Sequence, residues 1–412
     1  MLFRGLVSGV PFTGSLKGAS MSLAEDERFV VSWDMGGRLY SVWRFNHTWR
    51  RGLNGDVLYK WHDEGAGAPG SRGYDDRRRR TFAGAEAAAV VNEAASFASR
   101  ALGAIRASPG AWTGSEGAGA WAEFLRRLEA CSRFDSAAAA ADAARFARLY
   151  RPVGILPPDQ YLSVVLQATE GCSFGTCTFC DLYHDGYRVK APGEFAGHVR
   201  DVVEYLGESI SLRRRSIFLG AANALAVPLP RLVELFDALR AAFPPPLPPV
   251  RAFVDAFTGV RKDARDYRRL AALGLGRVYI GLESGHDPLL AFVRKPGTSG
   301  EAIEAVRAIK AAGLQVGVIV MIGLGGAAFA RGHVEDTARA VSAMGLGAGD
   351  LVYFSDLVEV PETAYPAIAR DAHLQPLDLA GRLSQLSALR SRLSFAGAPP
   401  QFARYDVREF VY

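Results

Sequence analysis

Three thiols, Cys172, Cys177 and Cys180, form the constellation in this 412-residue chain best suited to chemistry. They stand in the segment Thr169-Glu170-Gly171-Cys172-Ser173-Phe174-Gly175-Thr176-Cys177-Thr178-Phe179-Cys180-Asp181-Leu182-Tyr183, a C-x4-C-x2-C spacing. Thiolates bind soft metals and iron–sulfur clusters, and a loop carrying three of them can wrap a single inorganic centre. Two centres suit the pattern. In a [4Fe–4S] cube, three thiolates leave one iron open to an exogenous ligand. The alternative is structural zinc: His184, four residues past Cys180, would complete a Cys3His set. A lone catalytic thiol would need neither neighbour. The fourth cysteine, Cys131, has no cysteine or histidine at ligand spacing and reads as a small buried residue.

The elements that must position this loop follow from composition and periodicity. Hydrophobic residues make up 49% of the chain and charged residues 22%, which excludes disordered and collagen-like classes. A net charge of +5, from 48 basic and 43 acidic residues, is too mild to argue for nucleic acid by itself. No apolar run approaches the roughly 18–20 residues needed to cross a bilayer. Four cysteines cannot make a disulfide framework, so reduced thiols and a cytoplasmic location are expected.

Residues 1–25 read as a disordered leader with faint signal-peptide character, its apolar part broken by Gly9, Pro11 and Gly14, and Met21 is an alternative start. Residues 26–150 read as a small β-hairpin element followed by Ala-rich helices over 82–104 and 118–149. Between them, the Gly/Pro-rich stretch 65–80 and its run Arg77–Arg80 read as a linker with a solvated face, since no aromatics interleave there.

From Tyr161 onward strands and helices alternate. Strands are expected at Leu162–Gln167, Ser216–Leu219, Arg251–Val254, Arg277–Gly281, Val316–Met321 and Leu351–Phe354. Helices are expected at Glu194–Leu206, Arg231–Phe243, Lys262–Leu273, Glu301–Ala312 and Val334–Met344. This alternation predicts parallel strands with right-handed crossovers, and ligands at the carboxyl ends of the strands. Periodicity does not choose between a barrel and an open sheet. A helix over Leu379–Leu393 and the ending 405–410 are expected to cap the mouth.

On these segments the sequence resembles the radical S-adenosylmethionine (SAM) superfamily, in the branch that includes Elp3, the methylthiotransferases and oxygen-independent coproporphyrinogen oxidase. The resemblance spans residues 157–357 and implies an α/β fold, a partial (β/α)6 barrel, with residues 358–412 as a C-terminal cap. It implies a [4Fe–4S] cluster on Cys172, Cys177 and Cys180, whose open iron is chelated by the amino and carboxylate groups of SAM. The family's usual spacing is C-x3-C-x2-C; here it is one residue longer. By the same resemblance Phe179 packs near the adenine. The stretch Phe218-Leu219-Gly220-Ala221-Ala222-Asn223 stands where a GGE-type loop holds the methionine amine. Ala221 lacks the usual polar group, so support falls to the backbone, as at Gly220, or to Asn223. Glu283 and Ser284 match the position that binds ribose or the methionine part, and Lys295 matches the basic residue reaching the SAM carboxylate. Ile319 and Gly323 belong to the apolar strand that lines the adenine, Ile319 standing where some relatives carry an aspartate. Singly, each is as ordinary as a turn glycine or a solvated carboxylate. Their joint placement after the second, fourth and fifth strands carries the resemblance.

The implied activity is reductive cleavage of SAM to a 5′-deoxyadenosyl radical that abstracts hydrogen from a substrate, a small molecule or tRNA. Tyr183, His184 and Asp181, just past the loop, are the candidate catalytic proton donors. An electron donor of flavodoxin or ferredoxin type is implied, and no membrane or stable nucleic-acid partner is expected. With three cysteines used, Cys131 alone cannot hold a second cluster. The N-terminal part has only His47 and His62 and no DxHxxG pattern, so a cobalamin module is not expected, and residues 358–412 leave no room for an acetyltransferase domain. The competing reading is a non-catalytic protein with a zinc site, binding RNA through Arg77–Arg80 and Arg213–Arg215.

Overall fold

A computed structural model describes residues 1–7, 9–26, 28–62, 74–114, 118–183, 186–213 and 215–412. The chain divides into two compact units: Met1–Pro152 with Asp201–Arg215 and Arg408–Tyr412, and Val153–Arg200 with Ser216–Val407.

The first unit is built on an antiparallel sheet of nine strands among the described residues. Eight run in chain order: β1 (Leu2–Val7), β2 (Val10–Lys17), β3 (Ser20–Glu25), β4 (Phe29–Asp34), β5 (Leu39–Arg44), β6 (His47–Arg51), β7 (Val57–His62) and β8 (Arg77–Phe82). The short β9 (Thr113–Gly114) pairs with the other side of β1. Inward residues alternate with outward ones, as a half-buried sheet requires: Phe12 and Leu16, then Met21 and Leu23, then Val31 and Trp33. They pack against α1 (Gly84–Ala107) and α2 (Ala118–Ser132), with Phe12 on Phe97 at 5.1 Å and Phe3 on Phe124 at 4.4 Å between ring centroids. The third helix, α3 (Ser136–Leu149), completes the unit's long helices. Cys131 lies fully buried in this core.

Two expectations are corrected here. In place of a disordered leader the chain forms three strands, Leu2–Val7, Val10–Lys17 and Ser20–Glu25. Gly14, which looked like a breaker, sits where any Cβ would overlap the Phe124 ring. Arg77–Arg80 is an edge strand rather than a linker. Alternation sends Arg77 and Arg79 to the Glu409 carboxylate, while Arg80 pairs with Glu86 and lies over Phe82.

The second unit holds a parallel sheet of seven strands among the described residues: β10 (Val164–Gln167), β13 (Ile217–Gly220), β14 (Val250–Val254), β15 (Leu275–Glu283), β16 (Gln315–Ile322), β17 (Leu351–Asp356) and β18 (Gln401–Tyr405), each beside the next. A two-strand ribbon, β11 (Thr169–Glu170) with β12 (Arg188–Val189), brackets the cysteine segment. All six expected strands are present, within two residues at each end. The seventh, β18, falls in the segment expected to cap the mouth, and the residues past Val407 belong to the first unit. Strand order follows chain order without reversal, which is the wall of a partial barrel rather than a doubly wound sheet with a switch point.

The helices alternate with these strands. In chain order they are α4 (Pro192–Leu206), whose residues from Asp201 count with the first unit, α5 (Ile210–Arg213), which belongs to the first unit, and then α6 (Leu229–Ala242), α7 (Ala256–Gly259), α8 (Ala264–Leu273), α9 (Asp287–Phe292), α10 (Ser299–Ala311), α11 (Gly326–Ala343), α12 (Tyr365–Asp371) and α13 (Leu379–Arg392). Helices α6, α8, α10, α11 and α13 contact one another in that order as one outer layer.

Period-two alternation then sorts the strand residues. On β16, Val316, Val318 and Val320 face one way, whereas Gly317, Ile319 and Met321 face the inside. At the amino-terminal ends Asp159 accepts hydrogen bonds from Tyr279 Oη (2.6 Å), Tyr353 Oη (2.7 Å) and Arg277 (2.8 Å). Above this plug, Phe218, Phe253 and Tyr279 form an aromatic layer with centroids 5.1–6.1 Å apart. The Tyr279 ring lies over Gly317, where a Cβ would overlap it. Its hydroxyl is pinned, so the ring cannot swing aside. Gly317→Ala should therefore cost about 1–3 kcal/mol of stability by overpacking, read by urea denaturation. In a Tyr279→Leu background the same change should cost less than half as much; equal costs would show that the ring is not the obstacle.

Candidate active site

The carboxyl ends of the strands enclose a cavity of about 240 Å³ that Cys172, Cys177 and Cys180 all line. The loop bearing them is tied down on both sides. Thr178 N and Oγ1 donate to Val293 O (3.0 and 3.2 Å), Thr176 Oγ1 donates to Arg294 O (3.1 Å), and Tyr365 N donates to Thr178 O (2.9 Å). On the other side Ser173 Oγ donates to Asp255 (3.3 Å) and accepts from Asn223 Nδ2 (2.9 Å). Asn223 also donates to Asp255 and to Thr258 Oγ1, and its own carbonyl accepts from Asp255 N (3.2 Å). Asp255 in turn caps α7 through Thr258 N (2.8 Å). The ends of β13 and β14 are thus clipped to the residue after Cys172.

No group of three or more His, Cys, Asp or Glu among the described residues stands close enough to share a single metal ion. All three thiols reach the one cavity, as a shared inorganic centre requires. His184, the fourth ligand of the zinc reading and a candidate proton donor, lies outside the described residues. Burial pushes the Cys177 thiol up to about 11, with Lys295 opposing, and raises Cys180 for the same reason. The metal-free loop therefore holds thiols, and loading a centre must release protons.

Opposite the cysteines stands an ion pair, Lys295 Nζ to Glu283 Oε1 at 3.5 Å, with both side chains largely buried. Three backbone features deliver it. The ladder between β15 and β16 slips at Gly281/Glu283, so that the bulge re-aims Glu283 inward. Glu283 and Arg294 both take positive φ, 58° and 54°. Gly281 leaves open the space in which a Cβ would lie 2.5 Å from Glu283 Oε1 and 3.2 Å from Lys295 Nζ. Burial raises the Glu283 carboxyl against the pull of Lys295. For Lys295, burial alone would lower the ammonium, but Glu283, Cys177 and Asp255 outweigh it and leave it raised.

Of the other expected site residues, Phe179, Asp181, Tyr183, Asn223 and Ile319 line the same cavity. Burial also raises the Tyr183 hydroxyl. Four expected residues do not line it. Gly220 ends β13 beneath the surface, and Ala222 faces the cavity where Ala221 was expected, because Ala221 N is turned to Thr169 (2.8 Å to Oγ1). Ser284 is fully buried on the far side of the bulge, hydrogen-bonded to His333 Nδ1 at 2.8 Å. Gly323 N donates to Gln385 of α13 (2.8 Å).

Sequence reasoning missed Asp255, Met321, Ser355, Asp356 and Tyr405, all in the lining. Asp255 follows β14 directly, so the strand-end rule itself pointed there. Arg213, invoked for phosphate binding, is buried with its guanidinium 4.8 Å from the Tyr412 ring centroid.

Residues 166–338 match the family model "Radical SAM superfamily". This stretch is a radical SAM domain, of a superfamily that uses a [4Fe–4S] cluster and SAM. No curated protein sequence matches the chain. Among solved structures it is similar to coproporphyrinogen III oxidase (HemN) from Escherichia coli, at 13% identity over 60% of this chain and 54% of that one, with a TM-score of 0.41. It is similar to Methanocaldococcus infernus Elp3 at 13% identity over 59% and 57%, TM-score 0.39. It is also similar to the cobalamin-dependent SAM radical enzyme OxsB at 15% identity over 56% and 31%, TM-score 0.36. The chain thus spans about a third of the length of OxsB.

The clip makes the cysteine loop depend on a residue that holds no metal. Asn223→Ala removes its side chain's donors to Ser173, Asp255 and Thr258, each bond worth about 0.5–1.5 kcal/mol. Hydrogen exchange over 171–180 should quicken at least fivefold, and iron retained after desalting should fall at least twofold, with the circular dichroism unchanged. Unaltered exchange in that loop would show that the clip does not hold it.

Proposed function

We propose that the chain is a radical SAM enzyme whose cluster is held by Cys172, Cys177 and Cys180. The observation that carries this reading is the convergence of the three thiols and the buried Glu283–Lys295 pair on one cavity inside the matched domain. When bound, cluster and SAM together supply one-electron cleavage of the sulfonium and a 5′-deoxyadenosyl radical able to take hydrogen from a C–H bond.

The chain's own residues bind, orient and exclude water. Lys295 is the ammonium available to the SAM carboxylate. Glu283 and Asp255 are carboxylates suited to ribose hydroxyls or the SAM ammonium. Phe179, packed against Leu289, Val293 and Leu324, gives the adenine an apolar wall with Ile319 across from it. Asp181 is the candidate for passing a proton at the substrate side, while Tyr183, whose hydroxyl burial keeps protonated, serves there as a hydrogen-bond donor. Radical SAM enzymes need a reductant; a flavodoxin- or ferredoxin-like donor fits that need. No described helix is long and apolar enough to cross a membrane, which accords with a cytoplasmic enzyme.

Anaerobically reconstituted protein should be brown, carry iron rather than zinc, and release 5′-deoxyadenosine from SAM with dithionite. Cys177→Ala should lower that product at least a hundredfold. A colourless protein with one zinc per chain and no affinity for SAM would overturn the enzymatic reading.

A further inference from the structure

The turn Ser284-Gly285-His286 joins the two halves of the ion pair. Glu283 ends β15 on one side of it. On the other, His286 O accepts from Leu289 N (2.9 Å) and Leu290 N (3.1 Å) at the start of α9, and Leu290 O accepts from Lys295 N (2.9 Å) beyond its end. The placing of this turn therefore sets how carboxylate and ammonium meet.

Helix α11 grips the turn from behind. His333, Asp336 and Thr337, at i, i+3 and i+4 spacing, share one face of the helix and take the three turn residues in hand. Ser284 Oγ is bonded to His333 Nδ1 (2.8 Å), Gly285 N donates to Thr337 Oγ1 (2.7 Å), and His286 Nδ1 is bonded to Asp336 Oδ2 (2.7 Å). Ser284 Oγ also accepts from His286 N (3.0 Å), which closes the turn on itself. Two glycines let the surfaces meet: a Cβ on Gly285 would lie 2.5 Å from Asp336 O, and one on Gly332 would lie 2.5 Å from the His286 ring. Ser284, His333 and Thr337 are fully buried.

Packing alone does not account for His333. Burial, with His286 adding to it, lowers its imidazole to about 4, so the ring is neutral near neutral pH. Its Nε2 is buried with no hydrogen-bond partner among the described residues, an unfavourable condition that an apolar side chain would not impose. What the ring contributes is the bond at Nδ1. The backbone this bond reaches is one that needs holding. Glu283, directly before Ser284, has a φ of 58°, which a non-glycine residue keeps only where its surroundings fix it.

We infer that α11 positions the Glu283–Lys295 pair: His333, Asp336 and Thr337 hold the turn between the two charges, with the Ser284–His333 bond as the main tie, and so set the affinity for SAM. This rests on the proposed function only in naming SAM as the ligand. None of the three is among the cavity's lining residues, so they act through Glu283 and Lys295 as positioning residues.

Hydrogen exchange over residues 282–296 of the full chain, and SAM dissociation constants from equilibrium dialysis on reconstituted protein, test it. Ser284→Ala and His333→Leu should each quicken exchange there at least fivefold and weaken SAM binding at least fivefold. The double variant should do no more than either single one, since both remove the same bond. His333→Asn, whose amide stands where Nδ1 does, should bring both quantities back within twofold of the unmodified protein. Leu235→Ala, in the buried face of α6, should lower the melting temperature and leave both within twofold. Unchanged exchange over 282–296 in both single variants would overturn the inference. So would losses that Leu235→Ala reproduces and His333→Asn does not repair, or quickened exchange with SAM bound as tightly as before. Unmodified protein that binds no SAM defeats the proposed function instead, and the exchange rates then judge the positioning by themselves.

Discussion

A carboxylate cannot be buried beside thiols unless a cation is buried with it, and the second unit is arranged around meeting that condition. Glu283 and Lys295 reach each other from opposite ends of α9. Removing one partner of such a pair typically costs about 3–5 kcal/mol because the other is left charged in a dry site. The local backbone is bent to secure the pair. A bulge turns Glu283 inward, two non-glycine residues adopt positive φ, and a strand residue gives up its side chain so that the ammonium and carboxylate fit over the main chain. Strain of this sort, about 1–3 kcal/mol at each such residue, persists only where surroundings over-determine it. Here those surroundings are the β15–β16 ladder and the hydrogen bonds from the cysteine loop to Val293 and Arg294. The loop and the pair hold each other in place, so the wall that carries the thiols and the wall that carries the ion pair are one mechanical object.

The rest of the barrel interior is graded along its axis. Asp159, with two tyrosines and an arginine, seals the amino-terminal end in a satisfied polar layer. An aromatic layer follows, then the cavity. Polar groups at the sealed end bond to one another and to no cavity, whereas Asn223, Asp255, Glu283 and Lys295 at the open end both bond to one another and line the cavity. The same strands build both layers, since residues two apart share a face. On β15, Tyr279 belongs to the aromatic floor, Gly281 to the cavity wall, and Glu283 to the reactive end. A shift of one residue in register would bury the valines and isoleucines of the outer layer in the cavity and turn the ion pair out against the helices.

Much of this was legible in the sequence, and the reason is periodicity. Alternating apolar segments and amphipathic helices located the six strands from Val164 to Asp356, and the family resemblance then singled out Glu283 and Ile319, which line one cavity with Cys172. What escaped depended on geometry with no local signature. Ser284 follows Glu283 directly and so faces the opposite side, onto His333, where the resemblance had grouped the two. The backbone after β13 turned Ala222 rather than Ala221 to the cavity. Tyr405 and Arg404 belong to a strand of only five residues, Gln401–Tyr405, where the exposed residues alternate with half-buried ones and no continuous apolar run marks a buried strand.

The first unit shows the opposite failure, in which local composition argued against structure that long-range packing imposed. Gly9, Pro11 and Gly14 read as breakers in a leader, yet Gly14 is where the Phe124 ring requires the backbone to be bare. Four consecutive arginines read as a solvated loop, and their charge is the reason they can form an edge strand safely: a cationic edge resists pairing with another chain. Alternation splits their charge between two faces, Arg77 and Arg79 to Glu409 and Arg80 to Glu86 and the Phe82 ring. Glu409 lies more than three hundred residues away in sequence and meets Lys60 as well, so the run is a device for fastening the C-terminal residues to the sheet. A basic stretch whose partners are distant acids is indistinguishable, read locally, from one awaiting phosphate; only the fold supplies the acids.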